Sequence, residues 1–486
     1  MEEFDLVVLG GGSGSQVATA AAAQGWTTAV VEPGPLGGAC ITRGCVPSKA
    51  LIHRADLVQT VRHAGKAGVD AELRDVDFSA ITERTHDIVY EKADQQKRRL
   101  KDAENVTLYE GAGRFLDNRE LEVVAEPAGE NGDDRVLEEL EAEHVVIAVG
   151  SRPAMPPVEG LEGVDFLTSD DALYLENRPD ELVIVGGGYI GAELAHFFDA
   201  VGSEVSIVGR SDRLVPEEDD DVSAAVTREL EDRLEVYTGQ EATAVEERGD
   251  RIAVTAEADE EAVELTADDL LVATGRRPNT DDLGLEHTTI ETDDRGYLET
   301  DEFLRTDAED VWGLGDVLGE QPFKHAADYE ARCVATNVLE ESQRMVDYEA
   351  MPHAIFTSPQ VASVGATEGE LEEADREYES TTVTYDVAPL GLILETDEAF
   401  VKLLASPDGA ILGCHVVGPE ASTLIHEVVL AMQHGSGTVE DVAGTVHVHP
   451  ALNEVLLAAF EELSSSPYPT APDWREVTTR NEERED

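Results

Sequence analysis

Apolar and polar positions along the chain fall into two similar rhythms followed by a different one. Phe4-Asp-Leu-Val-Val-Leu9 is a short, nearly unbroken apolar run that stops at glycine, the pattern of a buried strand. Gly10-Gly-Gly12-Ser13-Gly14-Ser15 follows, then an alanine-rich helical stretch from Val17 to Ala23. A second run, Thr27 to Val31, ends at Glu32 and completes a βαβ pattern. From about Pro47 to Asp102 the chain is polar and helical; from about Glu126 to Glu143 it is acidic, which predicts a surface hairpin or loop. The opening rhythm then returns. A strand over Glu181 to Val185 leads into Gly186-Gly-Gly188-Tyr189-Ile-Gly191, a helix from Ala192 to Val201 and a strand from Glu204 to Val208. Ala148-Val-Gly150-Ser151-Arg-Pro153 and Ala273-Thr-Gly275-Arg-Arg-Pro278 mark corresponding strand ends. Two such units point to an internal duplication of dinucleotide-binding folds. After about Ala350, strands at Phe400 to Leu404 and Ile411 to Val417 and a helix near Thr423 to His434 read as α+β. The tail from Ser464 is rich in serine, proline and charge, and is expected to be loose.

Length and charge narrow this picture. A chain of 486 residues is too long for one core and suits about three domains of ~150 residues. No apolar run approaches the ~20 residues of a membrane span, and the first residues, running straight into a strand, carry no basic leader. The expected setting is cytoplasmic. The net charge is −69, from 104 acidic and 35 basic residues, only seven of them lysine. Such a chain repels itself in dilute salt, whereas molar salt screens charges within about 3 Å, so a halophile's cytoplasm is expected. The same charge argues against nucleic acid and anionic membranes as partners.

Candidate chemistry sits at four places. At the first glycine run, Gly10 permits the tight turn and Gly12 a close approach of backbone to a pyrophosphate, while Glu32 stands where a carboxylate binds ribose hydroxyls. Ser15 replaces the usual third glycine. The second run keeps all three glycines, but Gly209 stands where the acid would be, followed by Arg210 and Arg213. Arginines pair with a 2′-phosphate that a carboxylate would repel, which favours NADPH over NADH. Third, Cys40 and Cys45 stand with four residues between them at the start of a helix. They could be a redox couple, metal ligands or a structural pair. Zinc would want two further ligands at short spacing, and none is present, so no metal is expected. A helix N-terminus favours a reactive thiolate, and Pro47 fits a first turn. Cys333 and Cys414, in apolar surroundings, are expected to be buried. Fourth, His447-Val-His449-Pro450-Ala-Leu-Asn-Glu454 places a histidine and a carboxylate where they could form an acid–base pair.

With these pieces assembled, the chain from about residue 4 to 463 resembles the class I pyridine-nucleotide–disulfide oxidoreductases. The phrase Gly37-Gly-Ala-Cys40-Ile-Thr-Arg-Gly-Cys45-Val-Pro47-Ser-Lys49 and the phrase Gly313-Leu-Gly315-Asp316 carry the resemblance. It implies an α/β architecture of two Rossmann-like dinucleotide-binding domains plus a C-terminal α+β dimerisation domain. The implied boundaries are an FAD-binding domain over 1–152 and 278–348, an NAD(P)-binding domain over 153–277, an interface domain over 349–463 and an acidic tail over 464–486. It implies FAD contacts at Gly10, Gly12, Ser13, Gly14, Glu32, Lys49, Gly113, Ser151, Asp316 and Ala326. It implies NADPH contacts at Gly186, Gly188, Tyr189, Gly191, Glu193, Arg210, Arg213 and Gly275, with Tyr189 as a gate over the nicotinamide site and Glu193 paired with Lys49. Cys45 becomes the flavin-proximal sulfur and Cys40 the interchange thiol, while His449 and Glu454 form a dyad lent to the other subunit of an obligate homodimer.

Within the family, Gly209-Arg210 speaks against dihydrolipoamide dehydrogenase, and the absence of cysteine after Cys414 speaks against mercuric reductase. Lys324-His325-Ala-Ala-Asp-Tyr-Glu-Ala331 looks more like mycothione reductase than glutathione reductase, and the acidic composition points to the haloarchaeal members that reduce bis-γ-glutamylcystine. A redox sensor without turnover is disfavoured because Cys40, Lys49 and His449 are all present. Arg43, in place of the small apolar residue common in the family, could draw an anionic disulfide; that it pairs with a neighbouring acid or points into solvent is the favoured expectation. His447 is expected to pack rather than to act as a second base.

Overall fold

Leu6, Val7, Val8 and Leu9 are fully buried because their strand, Glu2–Leu9, runs between two parallel neighbours in a sheet covered on both faces. In the computed structural model, which describes residues 1–125, 135–258, 261–340, 343–396 and 398–465, this strand anchors a seven-stranded sheet. The order is Val106–Tyr109, Thr28–Val31, Glu2–Leu9, Val136–Ile147, Glu120–Val124, Ala112–Asp117, with Val311–Gly313 also pairing with Val136–Ile147. Part of the stretch expected to be a hairpin or loop is therefore sheet: residues 136–141 pair with Glu120–Val124, their alternating polar positions suiting a ribbon with one solvated face. Residues 126–134 of that expectation lie outside the described residues, as does the tail beyond residue 465.

The second βαβ unit builds its own parallel sheet, in the order Glu235–Tyr237, Glu204–Val208, Glu181–Val185, Asp269–Val272, Leu167–Thr168. The two units repeat one steric device. Gly10 has φ +111° and a Cβ there would lie 2.1 Å from Ala148 O; Gly186 has φ +133° and a Cβ there would lie 2.1 Å from Ala273 O. In each unit the glycine turn thus runs directly against the end of a neighbouring strand, where the sheet opens a crevice for a dinucleotide. The two strand-end phrases also find each other: Ser151–Pro153 and Arg276–Pro278 form a two-stranded antiparallel ladder.

By internal contacts the chain divides into two compact units. Met1–Glu217, Val226–Tyr348 and Phe356–Ser358 form the first, holding both nucleotide folds together; Glu218–Ala225, Glu349–Ile355 and the chain from Pro359 form the second. The second unit is a five-stranded antiparallel sheet with the helices Ala421–His434 and Asn453–Leu463 packed on it. Its central strands Phe400–Ala405 and Ile411–Val417 are buried throughout, and Cys414 lies among them; Cys333 is equally buried in the first unit.

Candidate active site

Gly44 decides the geometry of the cysteine pair. Its backbone (φ −146°, ψ −119°) breaks what would otherwise be one helix into Gly38–Arg43 and Cys45–His63. Cys40 comes to lie against Cys45, the first residue of the second helix. Both are free thiols and share a hydrogen bond. That bond from Cys40 holds the Cys45 thiol down at about 7; burial opposes the shift and the Lys49 ammonium adds to it. The unpaired N–H groups of a 19-residue helix act in the same direction. Cys40 moves the opposite way: donating to Cys45 holds its proton in place, and burial adds to this.

Lys49, one turn into the same helix, reaches the helix Tyr189–Val201. Its Nζ donates to Glu193 Oε1 at 2.8 Å and Oε2 at 2.7 Å. Glu193 is almost fully buried and also accepts the Phe356 N–H at 2.9 Å, while the Lys49 ammonium sits 4.9 Å from the Phe356 ring centre. Tyr189, at the start of that helix, has its phenol pushed up to about 12 by burial.

Cys40, Cys45, Lys49, Tyr189 and Glu193 open on one cavity of about 700 Å³. Of the residues expected to contact FAD, Gly10, Gly12, Ser13, Glu32, Gly113, Ser151 and Asp316 also line it. Gly14 and Ala326, the other two expected contacts, lie behind this lining. Gly14 does not line the cavity: a Cβ on it would lie 2.7 Å from Ala148 Cβ and 2.8 Å from Val8 Cγ1, so its part is close packing of helix on sheet. Ala326 is fully buried, and Ala327 beside it faces the cavity instead. The cavity fits a dinucleotide flavin: a side-chain-free turn at one end, the carboxylate of Glu32 beside it, and the redox pair further along. Glu32 is held ready by the N–H groups of Gly11 (2.6 Å) and Gly34 (2.9 Å). Ser15, the substitute for the third glycine, turns its hydroxyl back onto Gly12 O at 2.7 Å.

Gly186, Gly188 and Gly191 form the turn of the second nucleotide unit; Arg210, exposed, and Arg213 follow its second strand, and Gly275 (φ +116°) follows the strand Asp269–Val272. A Cβ on Gly191 would lie 2.0 Å from Gly186 O.

Sequence reasoning missed Arg276. Its Nε donates to Ser151 Oγ and its Nη2 to Ser151 O, both at 2.8 Å, and Ser151 Oγ donates to Asp316 Oδ2 at 2.6 Å. The signal was the Gly275-Arg-Arg-Pro phrase, which was read only as a strand end. Asp170 was also missed. It lies 3.6 Å from Arg43 Nε, so Arg43 has the acidic neighbour that the favoured expectation gave it; burial pushes the Asp170 carboxyl up.

In the second unit, His449 Nδ1 lies 2.8 Å from Glu454 Oε1, and Glu454 Oε2 accepts the Ala451 N–H at 3.0 Å. Burial would raise the Glu454 carboxyl, but the bonds from His449 and Ala451 outweigh it and hold it below the usual range. The His449 side chain is 68% exposed, which leaves its other nitrogen open to an incoming partner. His447 is more than packing: its Nε2 lies 3.0 Å from Glu427 Oε2 and its Nδ1 3.0 Å from Thr445 O. Among the described residues no group of three or more His, Cys, Asp or Glu side chains is placed to hold a metal ion, and no helix is long and apolar enough to cross a membrane.

Comparison with known proteins agrees with this geometry. Residues 4–344 match the pyridine nucleotide-disulphide oxidoreductase family, and residues 351–460 its dimerisation domain. Dihydrolipoyl dehydrogenase of Bacillus subtilis is 35% identical over 470 residues, 96% of this chain and 97% of that protein. Dihydrolipoyl dehydrogenase 2 of Haloarcula marismortui is 37% identical over 456 residues, 93% and 95% of the two chains. Among solved structures, the HOCl-induced flavoprotein disulfide reductase RclA of Escherichia coli superposes with a TM-score of 0.82 at 25% identity, covering 95% of this chain and all of that one. LpdA of Mycobacterium tuberculosis gives 0.84 at 26%, covering 96% of this chain and 100% of that one.

Proposed function

The chain belongs to the pyridine nucleotide-disulphide oxidoreductase family of FAD-dependent enzymes, and from that premise we propose that it is an NADPH-dependent reductase of a small disulfide, with bis-γ-glutamylcystine as substrate in a salty cytoplasm. The observation that carries the reaction type is the Cys40–Cys45 pair opening on the same cavity as the Lys49–Glu193 pair. The coenzyme choice rests on Gly209 and Arg210 at the end of the strand Glu204–Val208.

When bound, FAD supplies the hydride acceptor for the nicotinamide and the electron pair that opens the Cys40–Cys45 disulfide. The residues then divide the work. Cys45, the flavin-proximal sulfur, is held as a thiolate by its helix N-terminus and by Lys49, while the proton that accompanies the electron pair rests on Cys40. Cys40 gives its proton to the partner subunit's His449, which Glu454 orients. The Cys40 thiolate attacks one sulfur of the substrate; the substrate S–S bond breaks and the departing thiolate takes the proton from the same histidine. Cys45 then attacks the Cys40 sulfur of the mixed disulfide, restoring the Cys40–Cys45 bond and releasing the second half as a thiolate, which takes its proton from solvent. A homodimer with shared sites is supported by the match to the dimerisation domain and by the exposed apolar side chains Leu392, Ile393, Leu430, Val446 and Val448 on the unit that carries His449.

The names carried by the relatives favour a second reading, an NAD-linked dihydrolipoyl dehydrogenase. Oxidation of NADPH and NADH by the FAD-loaded protein in molar KCl, with bis-γ-glutamylcystine and lipoamide offered separately, decides between them. Turnover confined to NADPH and bis-γ-glutamylcystine is expected. Preference for NADH and lipoamide would establish the second reading.

A further inference from the structure

Lys324 opens the helix Lys324–Leu339 and lines the cavity that holds Cys40. A short relay of contacts brings it there. The Gly37 N–H donates to Gly11 O at 3.1 Å, and Gly38 lies so close to Gly12 that a Cβ on it would be 2.9 Å from Gly12 Cα. The next residue, Ser13, donates to Asp328 Oδ1 at 2.9 Å, one turn along the helix from Lys324. The same carboxylate oxygen accepts from Gln16 Nε2 and from Lys324 Nζ. The first glycine turn thus clamps the cysteine helix on one side and the head of the Lys324 helix on the other.

The two sulfurs are unequally provided for. Cys45 has a helix N-terminus and Lys49, with Glu193 behind. Cys40 lies within a six-residue helix whose last-turn cation, Arg43, is beside Asp170. The largest charge effects on Cys40 come from Cys45 on the facing helix and, on the helix Lys324–Leu339, from Lys324, which favours its ionised form, and Asp328, which opposes it. One of only seven lysines in a chain of net charge −69 thus lines the same cavity as the sulfur that must become a nucleophile.

We propose that Lys324 stabilises the negative charge on Cys40, and that Asp328 sets how much of that positive charge the sulfur feels. The proposal rests on Cys40 being the interchange thiol. It has a distinctive consequence. Lys324→Met and Asp328→Asn break the same ion pair but leave opposite charges beside the sulfur. If the pair served only to hold the helix, both variants would shift the cysteine alike.

The test is iodoacetamide labelling of the FAD-loaded, NADPH-reduced enzyme as a function of pH, with the labelled cysteine located by peptide mass spectrometry and FAD content recorded for each variant. A charge within about 4–6 Å moves a thiol's midpoint by about one unit or more, which is about tenfold in labelling rate below the midpoint. Cys40 labelling is expected to slow about tenfold in Lys324→Met and to quicken severalfold in Asp328→Asn, with Lys324→Arg close to the parent. Unmoved midpoints, or shifts in the same direction, overturn the role of Lys324 while leaving Cys40 as the interchange thiol. If Lys324→Met does not retain FAD, Asp328→Asn decides alone: a midpoint that fails to fall overturns the proposal. Labelling of Cys45 instead of Cys40 in the parent enzyme removes the assignment of the interchange thiol, and this proposal with it.

Discussion

Cys40 and Cys45 carry the same side chain and receive opposite treatment, which can be tested one residue at a time. With its thiol held near 7, Cys45 is ionised above that pH and protonated below it. Lys49 contributes to this, so Lys49→Met is expected to raise the midpoint, seen as thiolate ultraviolet absorbance of the reduced protein appearing only at higher pH. If the midpoint stays in place, the helix terminus and Cys40 suffice without Lys49. The dyad makes a different demand. His449→Ala is expected to lower turnover by about 10²–10⁴-fold, the usual worth of a positioned acid–base group, and Glu454→Gln by less, since it only orients the ring. Equal losses in the two variants would mean that Glu454 does more than orient. At this scale the sequence was readable where chemistry is local. The cysteine spacing and Glu32 could be read from the residues themselves, whereas Lys49–Glu193, 144 residues apart, came only through the family resemblance. Arg276 was not found because its phrase was read only as a strand end, and Asp170 because nothing in its own neighbourhood distinguishes it from surface charge.

The informative element is the end of the strand Glu204–Val208, on whose Gly209 and Arg210 the proposed coenzyme choice rests. Gly209 also lies close to the turn: a Cβ on it would be 3.4 Å from Gly187 Cα. Gly209→Glu with Arg210→Ala is expected to reverse the coenzyme preference. Each arginine–phosphate contact is worth about 1.5–3 kcal/mol, so kcat/KM for NADPH should fall by about one to two orders of magnitude while FAD content is unchanged. An unchanged NADPH:NADH ratio would show that the arginines are surface charge. The helices that carry the redox pair and Tyr189 are joined by more than Lys49. His196, fully buried, lies 3.1 Å from Asp56 Oδ1 through Nε2 and 3.2 Å from Arg233 Nη1 through Nδ1. Arginine can only donate, so Nδ1 accepts and the proton sits on Nε2, facing Asp56. A histidine inside an apolar helix face gives no hint of such a bridge in the sequence.

For the whole molecule, the large term is charge. Surface repulsion in a chain of net charge −69 predicts a melting temperature that climbs with KCl into the molar range, where the screening length is about 3 Å. A salt-independent melting curve would remove the halophilic reading. One internal ion cluster should behave differently. Lys402, in the buried strand Phe400–Ala405, donates to Asp219 (2.8 Å), Asp221 (2.8 Å) and Glu368 (2.7 Å) within the second unit. Its partners hold the ammonium well above its ordinary range despite burial. Lys402→Met leaves the fully buried Asp219 without its cation and is expected to cost about 3–5 kcal/mol in urea unfolding at high salt. A much smaller loss would mean that the carboxylates find other partners.

What the sequence determined by itself is what short-range forces encode. Apolar runs of strand length, glycine turns that only a bare backbone can make, and two thiols at a helix start are all set within a few residues. They were enough for the duplicated nucleotide folds, the α+β unit and the redox pair. What only the tertiary structure decided is which distant groups meet. The closing of the sheets brings Ser151 to Arg276 and Asp316, brings Lys324 to the cavity that Cys40 lines, and folds residues 218–225 into the unit of Lys402. Such meetings depend on the register of strands a hundred or more residues apart, and a charged side chain carries no local mark of the partner that will neutralise it.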